Sequence, residues 1–122
     1  ELRKQAVKWI KVLQLQDVEI TLIPINHTTI NANYDLGDCA TDTTYNLATI
    51  RIALRHPEAI NVLVHELIHI ATAKLKNAFD ISTSQLEPQA QRMAEMLFND
   101  AYEQYCTRME RTLMILDKEG TE

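Results

Sequence analysis

Leu2, Ala6, Trp9, Ile10 and Leu13 recur at three- to four-residue spacing, while Arg3, Lys4, Lys8 and Lys11 fall mostly on the opposite face. This predicts an amphipathic helix over 2–14. From Val18 to Ile25 the period shortens to two, with Val18, Ile20 and Leu22 inward and Glu19 and Thr21 outward. That is a strand, ended near Pro24, since proline cannot donate to a ladder. Residues 26–46 are polar, rich in Asn, Asp and Thr around Gly37-Asp38. They read mainly as loop, with a short strand in either Ile30–Tyr34 or Cys39–Thr41. Leu47–Leu54 alternates again, with Ala48, Ile50, Ile52 and Leu54 on one side and Thr49, Arg51 and Ala53 on the other. The alternation predicts a half-exposed strand.

His56-Pro57-Glu58 opens the next helix. Proline suits the first helical position, and an early Glu complements the positive end of the helix dipole. This helix is expected to run to about Asn77. Between Ile60 and Ala73 it is apolar nearly all round, as a helix at the centre of a small domain would be. Ser82-Thr83-Ser84 marks a further start, and from Gln85 a helical pattern continues through Leu86, Ala90, Met93, Ala94, Leu97, Ala101, Tyr105, Met109, Leu113 and Leu116 to Lys118-Glu119-Gly120. A run of roughly thirty residues is long for so small a chain. Its second half is expected to pack on the first helix or on another subunit, the latter making a homodimer through the C-terminal helix.

Composition narrows the class. With 122 residues, the chain suits one domain spanning 1–122. Two glycines and three prolines leave little room for many tight turns. The expected fold is therefore α+β: an N-terminal helix, a small antiparallel sheet, a central helix and a long C-terminal helix. A net charge of −5, with the twelve Lys and Arg spread along the chain, argues against a nucleic-acid partner. No run of roughly eighteen apolar residues and no signal-peptide pattern occurs, so a cytoplasmic protein with no membrane partner is expected. Cys39 and Cys106 are isolated and read as two buried thiols. With so few glycines there is no phosphate-cradling loop, and nothing points to a nucleotide, flavin or haem.

Half of the four histidines lie in one pentapeptide, His65-Glu66-Leu67-Ile68-His69, on the central apolar helix. Histidines at i and i+4 stack on one helical face, where one Zn²⁺ can take both. The Glu between them stands beside such a metal as a candidate general base. The imidazole face (Asn61, His65, His69 and Thr72) also carries the few polar residues of this helix. A single histidine here would read as a hydrogen-bonded core residue; the H-E-x-x-H spacing points to metal. A catalytic zinc site needs a third protein ligand and an open position. Thr72 and Leu75 stand where an H-x-x-G-x-x-H extension needs Gly and His, and no histidine follows His69. The third ligand must then be a downstream carboxylate: Asp80, Glu87, Glu95 or Asp100. Glu87 is favoured, since an antiparallel helix pair would return its first turn beside the motif. Glu95 is the alternative. Ser84-x-x-Glu87 is also a capping-box spacing, so Glu87 has a plain helix-capping reading, and Pro88 biases it away from helical angles. His56 reads as a helix-start residue.

This pentapeptide, followed by Leu86-Glu87-Pro88-Gln89-Ala90-Gln91-Arg92-Met93-Ala94-Glu95-Met96-Leu97, resembles the small gluzincin-like metallopeptidases of bacteria and phages. It is similar to the broad ImmA/IrrE-type pattern, in which H-E-x-x-H is followed by E-x-E-A-x-x-F-A-x-x-L-L. Glu87, Ala90, Met93, Ala94 and Leu97 take matching positions; Gln89, Met93 and Ile68 depart from the usual Glu, Phe and Gly. The resemblance covers roughly residues 45 to 98 and implies a minimal zincin-like fold with Glu87 as zinc ligand. It further implies that the strand over 47–54 rims a cleft and pairs with an extended peptide, an ordinary internal strand being the other reading. The expected activity is a zinc-dependent metallopeptidase acting on a peptide or protein substrate. His65, His69 and Glu87 would hold the metal, and Glu66 would take a proton from the attacking water and pass it to the leaving amine. The oxyanion donor is unassigned among Tyr34, Tyr45, Tyr102 and Tyr105. The rival function is a non-catalytic zinc-binding scaffold acting as an interaction or regulatory module. Glu66 favours the enzyme, because a structural site needs the histidines and not that carboxylate.

Overall fold

The computed structural model describes residues 2–25, 36–53 and 55–120. The elements are α1 (Leu2–Val12), β1 (Glu19–Pro24), β2 (Gly37–Asp42), β3 (Leu47–Ile52), α2 (Ala59–Ala71), α3 (Ala73–Thr83) and α4 (Pro88–Gly120). They form two compact units, Glu1–Ala71 and Thr72–Glu122. The α+β class follows directly. Tyr34 and the Ile30–Tyr34 strand alternative lie outside the described residues, as does Leu54.

In the first unit α1 buries Ala6 and Trp9 of the five positions that its periodicity aims inward, while Leu2, Ile10 and Leu13 are half-buried. The helix ends in a left-handed residue, Gln14 (φ 59°), and the Leu15 N–H reaches back to the Ile10 carbonyl at 2.8 Å. This is the backbone closure that usually recruits glycine.

The sheet has the order β1-β3-β2. β3 runs antiparallel to β2 and parallel to β1, so the expected antiparallel sheet is mixed. Register pairs Ile20 with Ala48 and Leu22 with Ile50 on one side of β3, and Cys39 with Ile50 on the other. Pro24 closes β1, where an outer strand tolerates a missing donor. The β2–β3 turn is built by Asp42, whose carboxylate accepts the N–H groups of Thr44 (3.0 Å) and Tyr45 (3.2 Å). Asn46 completes it at φ 54°, a conformation that Asn adopts more readily than most residues.

Two sequence expectations change here. The strand near Cys39–Thr41 is longer and begins at Gly37, which was expected to be loop. A Cβ on Gly37 would lie 2.7 Å from Val62 Cγ1 and 2.8 Å from the Arg51 carbonyl oxygen, so glycine is what lets β2 approach α2. Of the two readings of 47–54, the ordinary internal strand is the one found, and the cleft rim free to add a peptide strand gives way. β3 is the central strand, its backbone paired on both sides, and Ala48, Ile50 and Ile52 are buried on one face of it. α2 supplies much of that cover, contacting β2, β3 and α1.

The helix expected to run from Pro57 to Asn77 is in fact two. Pro57 and Glu58 form a turn, α2 starts at Ala59, and Thr72 (φ −107°, ψ 10°) separates α2 from α3. Ser82-Thr83-Ser84 ends a helix instead of starting one. The hydroxyls of Ser82 and Thr83 donate to the Phe79 carbonyl, and that of Ser84 to the Ile81 carbonyl. Such side chains compete for the carbonyls of a last turn as readily as they cap a first one. α4 then begins at Pro88, where proline loses nothing by lacking a donor.

The second unit is a helical hairpin. Phe79 on α3 stacks on Phe98 of α4 (centroids 4.1 Å, 14°), Phe98 on Tyr102 (5.4 Å), and Lys76 Nζ lies over both phenylalanines. α4 spans 33 residues, about 50 Å at 1.5 Å per residue, against 11 residues in α3. The two helices therefore overlap only along the first half of α4. Among the described residues no helix is long and apolar enough to cross a membrane.

Candidate metal centre

α2 is the most deeply packed helix. Leu63, Val64 and Leu67 are fully buried, and Ile68 and Ile70 nearly so. One stripe stays half open: Asn61, Val62, His65 and His69. The sequence aims both imidazoles along that stripe, and the buried remainder of the helix holds their backbone still. The start of α2 is set by His56, whose Nδ1 accepts the Glu58 N–H at 3.0 Å while its carbonyl accepts from Ala59. His56 is thus the helix-start residue that its position suggested.

The His65 and His69 rings meet edge to face, with centroids 4.9 Å apart at 61°. Their Nε2 atoms approach to 3.2 Å. Two nitrogens bound at roughly 2.0–2.1 Å to one tetrahedral ion stand about 3.3–3.4 Å apart. The pair therefore already has nearly the bite of a single zinc ion. The same distance fits a direct hydrogen bond from one ring N–H to the other ring's lone pair. The two states differ in protons: a shared metal needs both Nε2 atoms deprotonated.

Glu66, one residue on, is 8% exposed. A carboxyl group at that depth is costly unless partnered. Its place in the chain is next to His65, on the same helix as both imidazoles.

The downstream carboxylates lie in the second unit. Glu87 caps α4: its Oε1 accepts the Gln89 N–H at 2.8 Å, and its carbonyl accepts from Gln91. The capping reading of Glu87 is realised by Glu87 itself at the helix start, not by a Ser84 box. Capping engages one oxygen, and a carboxylate has two. Asp80 pairs with Lys76 Nζ at 2.7 Å, and Asp100 accepts from Gln104 at 3.1 Å. Glu95 is half-buried on α4.

Of the tyrosines, Tyr45 is 73% exposed in the β2–β3 turn and Tyr105 is half exposed. Tyr102 differs. Its hydroxyl lies 2.6 Å from Thr72 Oγ1, and Thr72 is the residue that joins α2 to α3, three positions after His69. The hairpin returns Tyr102 to the start of α3. The one sequence signal was Thr72 itself, a polar residue on the imidazole face. Comparison with protein-family models, curated proteins and solved structures gave no match to this chain.

Proposed function

We propose that the protein is a zinc-dependent metallopeptidase of minimal zincin type. The observation that carries this reading is the 3.2 Å approach of the His65 and His69 Nε2 atoms on a buried helix that also holds Glu66. His65 and His69 supply two ligands. The third is a carboxylate, Glu87 on the family resemblance, with Glu95 the alternative. Bound zinc would supply Lewis acidity, polarising a substrate carbonyl and lowering the pKa of water towards about 7. Glu66 acts as the general base and then returns its proton to the leaving amine. Its burial favours that role, because a carboxylate shielded from bulk water holds and releases a proton on the substrate instead of exchanging with solvent.

The test begins with metal content. Purified protein should carry about one zinc per chain, and free zinc at about a hundredfold excess over Kd should stabilise it by about 2.7 kcal/mol. His65→Ala or His69→Ala should abolish both effects. Glu66→Gln should keep the metal and lose cleavage of a mixed peptide pool. Folded protein that takes up no zinc would retire the proposal. Zinc uptake with equal inertness of the native protein and Glu66→Gln would replace the enzyme by a zinc-binding interaction scaffold. Zinc retention in Glu87→Ala, Glu95→Ala and Glu103→Ala would identify the third ligand. Glu103 joins the panel as the carboxylate next to Tyr102, which holds Thr72.

A further inference from the structure

α4 presents two faces. One carries Phe98 and Tyr102 against α3. Met93, Leu97, Asp100, Gln104, Arg108, Arg111 and Ile115 make up a different stripe, all exposed. At 100° per residue these seven positions fall within about 80° of arc and extend along about 33 Å of helix. Both ends are apolar: Met93 is 59% exposed, Leu97 68% and Ile115 58%. The middle is polar, and Gln104 Nε2 donates to Asp100 within it.

The order of residues on this stripe is self-complementary. Asp100 and Arg108 lie equally far on either side of Gln104, as do Leu97 and Arg111, and Met93 and Ile115. A second α4 laid antiparallel across the stripe, with a two-fold axis at Gln104, sets each Asp100 against an Arg108 and each Met93 against an Ile115. Leu97 meets the aliphatic stem of Arg111, a contact that arginine makes while its guanidinium stays in water. No like charges meet. A parallel pairing would instead set Asp100 on Asp100, Arg108 on Arg108 and Arg111 on Arg111, three repulsions along the stripe. Closed two-fold pairing needs this kind of self-matching patch.

We infer that this face of α4 binds a second copy of the chain in antiparallel register centred on Gln104. The opposed charges set direction and register, and the apolar ends supply the attraction. The pairing stands apart from the zinc proposal, since none of His65, Glu66, His69, Glu87 or Glu95 lies on this stripe.

Light scattering on the full chain over a dilution series tests it. The expected mass approaches twice 14.0 kDa at high concentration and falls on dilution. Asp100→Arg or Arg108→Asp alone places like charges at both central pairs and should weaken the dimer at least about tenfold, with helicity by circular dichroism unchanged. Asp100→Arg/Arg108→Asp together should restore native affinity to within about threefold, because reversing both partners regenerates the attraction. Mixing the two single variants should yield a heterodimer that neither forms alone. A chain that stays monomeric at every concentration overturns the inference. So does a dimer that the single reversals leave unchanged, or a double reversal that fails to recover pairing.

Discussion

The two units of this chain treat the same side chains in opposite ways. In the first, Ile50, Ile52, Leu63, Val64 and Leu67 are completely buried. In the second, Leu75, Ile81, Met93, Met96 and Leu97 are each more than half exposed. The difference is geometric. A sheet covered by α2, with α1 against that helix, can enclose apolar groups from several sides. A hairpin of two helices buries one stripe of each, and α4 outruns α3 by some 30 Å, so apolar positions on its remaining faces stay open. Apolar periodicity shows that a helix has a face; the number of elements packed round it decides how much is buried. The chemistry follows the same division. The histidine pair sits on the unit that can hold it rigid, while the self-complementary stripe sits on the one with surface to spare.

The largest expected effect contrasts one substitution in the two settings. Leu67→Ala should cost about 2–5 kcal/mol of unfolding free energy, as a fully buried leucine leaves a cavity. Leu75→Ala, eight residues on but 61% exposed, should change stability by no more than about 0.5 kcal/mol. Urea unfolding of the two variants makes the comparison, and equal losses would break it.

Gly37→Ala probes the closeness of packing in the first unit. Its methyl group would meet both Val62 and the Arg51 carbonyl oxygen below 3 Å, and backbone can yield little. A loss of about 1–3 kcal/mol is expected by the same measurement.

The smallest effect concerns the surface of the sheet. Arg51 donates two hydrogen bonds to Asp38 across the β2–β3 pair, through Nε at 2.8 Å and through its terminal nitrogen. These bonds hold the Asp38 carboxyl below its usual value, with the Arg51 charge adding to them and partial burial opposing them. A folded pKa below the unfolded one gives stability that is present above the ordinary carboxylate range, near 3.9, and lost as pH falls through the folded value. Asp38→Asn should therefore lower stability slightly above about pH 4, the pair being exposed, and flatten the acid limb below it by the same small amount. An unaltered acid limb would show that the pair contributes nothing.

Legibility tracked how local each cause is. α1, β1 and β3 were readable because amphipathic period and strand alternation are properties of adjacent residues. The His65, Glu66 and His69 arrangement was readable because one helix carries all three. Gly37 and Asp38 looked like loop because neither favours a strand; their strand is imposed by β3 beside them and Val62 above. Ser82-Thr83-Ser84 looked like a start because hydroxyls satisfy either helix end, and only the hairpin decides which. Tyr102 reaches Thr72 only because α3 and α4 fold back on each other.

The amino-acid sequence alone thus determined the helix and strand periods, the stacking of two imidazoles at i and i+4, and the place of Glu66 between them. These depend on 3.6- and 2-residue repeats, which the backbone enforces wherever the segment lies. Tertiary structure decided the central place of β3, the break at Thr72, the parallel pairing of β1 and which apolar faces of α3 and α4 stay exposed. Each of these depends on what packs from elsewhere in the chain, and packing partners are not encoded at any single position.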